Sequence, residues 1–207
     1  MQADLHDPAV RRRLYITLAQ KRARPGSGSS PDVIWARTWR RPVFDLRSVV
    51  SVPFLVIGGV ATRLYAPERV TGDLDVLVAA GRAEAFHQQL ERSGIGRVIP
   101  DSMPLDVLEE DALEEDAAWV AEALAAPAAG PDGLPVIALP YLILLKMRAS
   151  RGIDIGDLTR MLGAADEADL EKTRQVIRAH MSDGEEDLES LIQLGQLEYM
   201  GTRDSRR

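Results

Sequence analysis

The sequence predicts an α/β fold of the α+β kind, followed by a helical C-terminal region. Short apolar runs bounded by turn residues, "FLVIGG", "DLDVLV" and "MPLDVLEED", read as strands. Segments with apolar residues at three- and four-residue spacing lie between them, and from "PYLILLKMRASRG" onward the pattern is helical. The 207 residues suffice for one domain of ordinary size with an appended helical piece. The expected division is a basic arm and linker over 1–30, a core over 31–139 and a helical region over 140–207.

Taken in order, residues 8 to 22 predict a short helix, broken by "ARPGSGSSPD". Arg47 to Val50 read as the end of another helix, and "FLVIGG" then reads as a buried strand closed by glycines. "VATRLY" begins a helix, "PERVTG" is turn chemistry, and "DLDVLV" is a strand whose alternation puts Asp73 and Asp75 on one face. "GRAEAFHQQLERSG" is an amphipathic helix stopped by Gly94, and Asp106 sits between apolar neighbours in the next strand. "DAAWVAEALAA" has helical composition, "PAAGPDGLP" reads as a loop, and "VIAL" as a short strand. "DIGDLTRML", "ADLEKTRQVIRAH" and "DLESLIQLGQLEYM" supply the remaining helices.

An apolar fraction of 45% and a charged fraction of 28% are those of a soluble globular protein, and no apolar run approaches the ~20 residues that cross a bilayer. Met1 to Ser30 has no secretory-type apolar segment, so the expectation is a cytoplasmic protein with no membrane partner. The absence of cysteine excludes disulfides, thiolate metal sites and thiol nucleophiles, leaving oxygen and nitrogen groups for any chemistry. The net charge of -7 argues against a generic nucleic-acid coat, although "RRRLY", "QKRAR" and "ARTWRR" make the first fifty residues basic. That basic stretch reads either as a solvated arm or as a surface for RNA or an acidic partner. Asp101 to Glu122, by contrast, carries nine acidic residues and no basic one.

Two carboxylates on one face repel and raise each other's pKa unless a cation compensates them. Magnesium, or manganese in its place, suits such a pair because it takes oxygen ligands and completes its shell with water and substrate phosphates. Asp106, on a strand beside Asp75, would close the cluster for two-ion phosphoryl transfer. Gly58 and Gly59 supply the complementary half, since a glycine turn into a helix lets backbone N–H groups approach a phosphate. A nucleoside triphosphate (NTP) carrying magnesium satisfies both. Arg63, one turn past Gly59, is either a further phosphate contact or an arginine on an exposed helix face.

The order of strand, two glycines, helix, turn and D-x-D strand resembles the minimal-core nucleotidyltransferases of the DNA polymerase beta superfamily. The likeness covers Phe54 to Val107, with Gly58, Gly59, Asp73, Asp75 and Asp106 at the motif positions. "GGVATRLYAPERVTGDLDVLV" looks most like the AbiEii-type members, in which a basic residue and Ser or Thr precede the D-L-D; Arg69 and Thr71 stand there. "LLKMRASRGIDIGDL" is similar to their later helical motif, with Lys146, Asp154 and Asp157 matched. Arg151, Gly152, Ile153 and Asp154 depart from the family run by lacking a second basic residue, which weakens the expected grip on triphosphate. The resemblance implies a nucleotidyltransferase fold with a mixed β-sheet flanked by helices. It also implies magnesium-dependent transfer of a nucleoside monophosphate from an NTP to an acceptor hydroxyl. Asp73, Asp75 and Asp106 would hold metal, Gly58, Gly59, Arg69 and Thr71 would bind the nucleotide, and Lys146 with Asp157 would serve charge and orientation. The alternative for the last pair is a surface lysine with Asp157 as a helix N-cap. Many such proteins are toxins with an antitoxin partner or act in phage defence, and some modify tRNA. RNA, tRNA and a small molecule such as an antibiotic therefore stay open as acceptors, beside a degenerate module that binds NTP or a partner without turnover.

Overall fold

The structure is a computed structural model that describes residues 5–25, 45–66, 71, 73–94, 105–109, 117–130 and 133–199, with the backbone alone at 106, 108, 109 and 117. It is a mixed α/β protein, mostly helical. The chain divides into two compact units, one between Ile34 and Ala138 and the other drawn from residues up to Val33 together with those from Leu139 onward.

The first unit holds the sheet. Its strands are β1 (Phe54–Val56), β2 (Leu74–Val78), β3 (Leu105–Glu109), β4 (Ala128–Ala129) and β5 (Pro135–Val136), in the spatial order β3-β2-β1-β5-β4. β1 runs antiparallel to β2 and parallel to β5, whereas β2 and β3 are parallel, so the sheet is mixed. All three residues of β1 are buried, and in β2 only Asp75 is half-exposed. Such near-continuous apolar strands belong to a sheet covered on both faces. The helices of this unit are α2 (Gly58–Tyr65), α3 (Ala83–Arg92) and α4 (Ala117–Ala125). From α3, Phe86 and Leu90 enter the core, with Phe86 edge-on to Phe54 at a centroid distance of 5.8 Å. Trp119 of α4 is fully buried.

Three local readings differ from the sequence expectation. Arg47 to Val50 do not end an α-helix; a 3-10 turn spans Leu46–Ser48, with Asp45 accepting a hydrogen bond from the Arg47 amide. "PAAGPDGLP" contains a strand, because Ala128 and Ala129 pair antiparallel with Val136 and Pro135. α2 begins at Gly58, ahead of "VATRLY".

The second unit is helical: α1 (Pro8–Gln20), α5 (Leu139–Ala149), α6 (Gly152–Ala164), α7 (Glu167–His180) and α8 (Glu185–Glu198). Proline in the first turn of α1 and the Asp7 carboxylate accepting from the Ala9 amide at 2.8 Å start that helix, and Asp166 caps α7 in the same way. α6 and α8 meet where a Cβ on Gly163 would lie 2.6 Å from the Gly195 carbonyl oxygen, a backbone approach that side chains would block. Leu142, Ile143, Leu158, Leu162, Leu191 and Ile192 fill the core between these helices.

Candidate functional site

β1 ends at Val56, and the chain turns through Ile57 into α2 with Gly58 at φ +60°, a left-handed conformation that glycine adopts without strain. The Ile57 amide donates to the Asp75 carbonyl at 2.9 Å, so this turn stays tied to the first residues of β2. No side chain caps α2 at Ile57, and the helix's first N–H groups have no partner inside it. Because β2 is antiparallel to β1 and parallel to β3, the glycine turn and the starts of β2 and β3 share one end of the sheet.

Asp73 lies in a bend just before β2 rather than within the strand, and Asp75 is its second residue; both are half-buried. Asp75 and Asp106 are in-register partners across the parallel β2–β3 pair, the adjacency the sequence reading assumed. A Cβ on Gly58 would overlap the Asp75 carboxylate, and one on Gly59 would overlap the Thr71 hydroxyl. Each glycine therefore leaves the space that a neighbouring side chain, Asp75 or Thr71, occupies. Thr71 in turn donates to the Asp73 carboxylate at Oδ1, 2.7 Å away.

Arg63 lies half-buried in the last turn of α2, and burial holds its guanidinium below the ordinary value; it does not stand on an exposed helix face. Arg69 lies outside the described residues. Among the described residues, no three His, Asp or Glu side chains gather closely enough to hold a metal ion; the Asp106 carboxylate is outside that statement.

Lys146, Asp154 and Asp157 come together in the helical unit. The Lys146 ammonium sits 2.8 Å from Asp157 Oδ2 and 3.2 Å from Asp154 Oδ1, with its side chain 6% exposed and both carboxylates buried. Arg151 Nε reaches Asp154 Oδ2 at 2.8 Å, and Arg160 lies 3.7 Å from Asp157 Oδ1. Burial pushes the Asp154 carboxyl up, but the Arg151 hydrogen bond and the charges of Lys146 and Arg151 outweigh it and hold the group below its ordinary value. Lys146 is thus no surface lysine, and Asp157 is no N-cap, since α6 starts at Gly152 with Arg151 before it.

Sequence reasoning missed how the basic residues of α1 are used. Arg11 donates to the Ser150 and Ala149 carbonyls at 2.9 Å each, and buried Arg12 donates to Asp187 at 2.7 Å and to the Met147 carbonyl at 3.0 Å. These cations complete the C-terminal carbonyls of α5, where the helix dipole favours them. The signal was present: Arg12 stands four residues before buried Ile16 and so on the inward face of α1.

No family model and no curated protein matches the chain. Among solved structures it is similar to the RV2827C protein from Mycobacterium tuberculosis, at 14% identity and a TM-score of 0.37, over 76% of this chain. The chain spans about half of that protein, 53% of its length, and a likeness of this degree carries no argument about fold or function. No helix among the described residues is long and apolar enough to cross a membrane.

Proposed function

We propose that this chain is a metal-dependent nucleotidyltransferase whose site is built on the sheet unit. The observation that carries the reading is the in-register pairing of Asp75 with Asp106 at the end of the sheet where the Gly58–Gly59 turn starts α2. Asp73, Asp75 and Asp106 would hold magnesium or manganese, which when bound neutralises phosphate charge and lowers the pKa of a coordinated hydroxyl. The uncapped first turn of α2 offers N–H groups and a positive dipole end to the triphosphate. In the reaction the acceptor hydroxyl oxygen bonds to the α phosphorus, the bond from that phosphorus to the bridging oxygen breaks, and pyrophosphate leaves. Asp106 takes the hydroxyl proton. Lys146 and Asp157, which the resemblance assigns to charge and orientation, are read here as holding the α5–α6 corner, because their charges already compensate each other.

The nucleotidyltransferase fold, the choice among RNA, tRNA and small-molecule acceptors, and an antitoxin partner rest on the sequence resemblance. With Arg11 and Arg12 engaged inside the helical unit, α1 offers RNA fewer free cations than its sequence suggests. The test is incubation of the full chain with magnesium, each labelled NTP in turn and total RNA, beside the Asp73→Asn/Asp75→Asn variant. Label moved onto RNA by the wild type alone supports the reading with an RNA acceptor. Magnesium-dependent NTP binding without transfer to RNA directs the search to small-molecule or protein hydroxyls, and wild-type protein that neither binds NTP nor transfers label overturns the reading.

A further inference from the structure

Resting on that reading, we propose that Thr71 is a positioning residue that fixes the Asp73 carboxylate and leaves Oδ2 as its single metal-binding oxygen. The Thr71 hydroxyl has one proton to give. Asp73 Oδ1 receives it at 2.7 Å, whereas the Asp73 carbonyl oxygen is farther away at 3.4 Å. The donor is itself held in place. Threonine is stiff about χ1, and its Oγ1 and Cβ fill the space that a Cβ on Gly59 would take, so packing selects the rotamer that points at Asp73. A neutral donor orients a carboxylate without cancelling its charge, which is what a cation ligand requires. Asp154 is the opposite case, with Arg151 on Oδ2 and Lys146 on Oδ1, and has no full charge to offer an ion. Gly58 and Gly59 thereby acquire separate tasks: the first makes room for Asp75, and the second seats the residue that aims Asp73.

Manganese is the probe, titrated into the full chain with a non-hydrolysable NTP analogue and followed by the electron paramagnetic resonance of free ion, with melting temperature recorded for each protein. Removal of such an outer-shell partner weakens metal affinity by about 10- to 100-fold. Thr71→Val is expected to lose affinity by that factor at an unchanged melting temperature, and Thr71→Ser to stay within a few-fold of wild type. Gly59→Ala, which keeps the hydroxyl but displaces it, is expected to fall with Thr71→Val and tests the inference should Thr71→Val fail to fold. Wild-type affinity in Thr71→Val, or equal losses in the Val and Ser variants, overturns the inference while the metal site itself stands if Asp73→Asn abolishes binding. No manganese binding by the wild type overturns both.

Discussion

Asp73 and Asp75 in the sheet unit and Asp154 and Asp157 in the helical unit are two pairs of carboxylates, each near in sequence, in different surroundings. The helical pair is buried, and Lys146, Arg151 and Arg160 lie within ion-pair distance of its oxygens. The sheet pair is half-buried; Asp73 accepts from a neutral hydroxyl, and Asp75 lies against a glycine. Carboxylates buried with their own cations hold a corner together, and breaking such a set is costly because it strands charge. A carboxylate held by a neutral hydroxyl, as Asp73 is by Thr71, keeps its full charge, which is what the proposed ion site needs. The proposed function gives structure to the helical pair and chemistry to the sheet pair.

The largest effect is expected at the sheet pair. Asp75→Asn should lower magnesium-dependent transfer by about 10²- to 10⁴-fold, the range seen when one positioned catalytic group is lost. Stability should change by less than at the helical pair in urea unfolding, because the Asp75 side chain is half-exposed and Asn keeps its size. At the helical pair the balance reverses: Lys146→Met should cost about 3–5 kcal/mol of unfolding free energy by taking the shared buried cation from two carboxylates. Adding Asp154→Asn and Asp157→Asn should recover part of that loss, and a Lys146→Met protein as stable as wild type breaks the comparison.

Gly59→Ala sharpens it from the packing side. The new methyl meets the Thr71 hydroxyl and Cβ, an overpacking expected to cost about 1–3 kcal/mol, and Thr71→Gly in the same chain should remove most of the penalty. The smallest effect is in acid. Asp154 is held below its ordinary value, so its contribution to stability is complete above the unfolded value near pH ~4 and is lost as pH falls through the folded value. Melting temperatures from pH 7 down to 3 should therefore fall less steeply for Asp154→Asn than for wild type at the acid end.

The order β1, α2, β2 was legible in the sequence because an apolar run, a glycine pair and a D-x-D strand are local signals. The neighbourhood of Asp75 and Asp106 was only an assumption, since a parallel register between β2 and β3 is set by sheet pairing and leaves no trace in the periodicity of either strand. The strand at Ala128–Ala129 was hidden because two residues show no alternation and their glycine- and proline-rich setting reads as loop. Arg11 and Arg12 were hidden for another reason. A charge run is normally solvated, and its use against the last carbonyls of α5 depends on a helix more than a hundred residues away in sequence. The glycine pair was legible as a turn, but its service as a seat for Thr71 and Asp75 required side chains brought back by β2.

Equilibrium binding of a non-hydrolysable NTP analogue, with and without magnesium, is the most direct measurement of the division between the two pairs. It is made on wild type and on Asp73→Asn/Asp75→Asn with urea unfolding of the same preparations. Magnesium-dependent binding by the wild type is expected, at least about tenfold weaker in the double variant, as when metal-site groups are lost, at the same unfolding midpoint. Equal binding by the two proteins, or binding indifferent to magnesium, would contradict it.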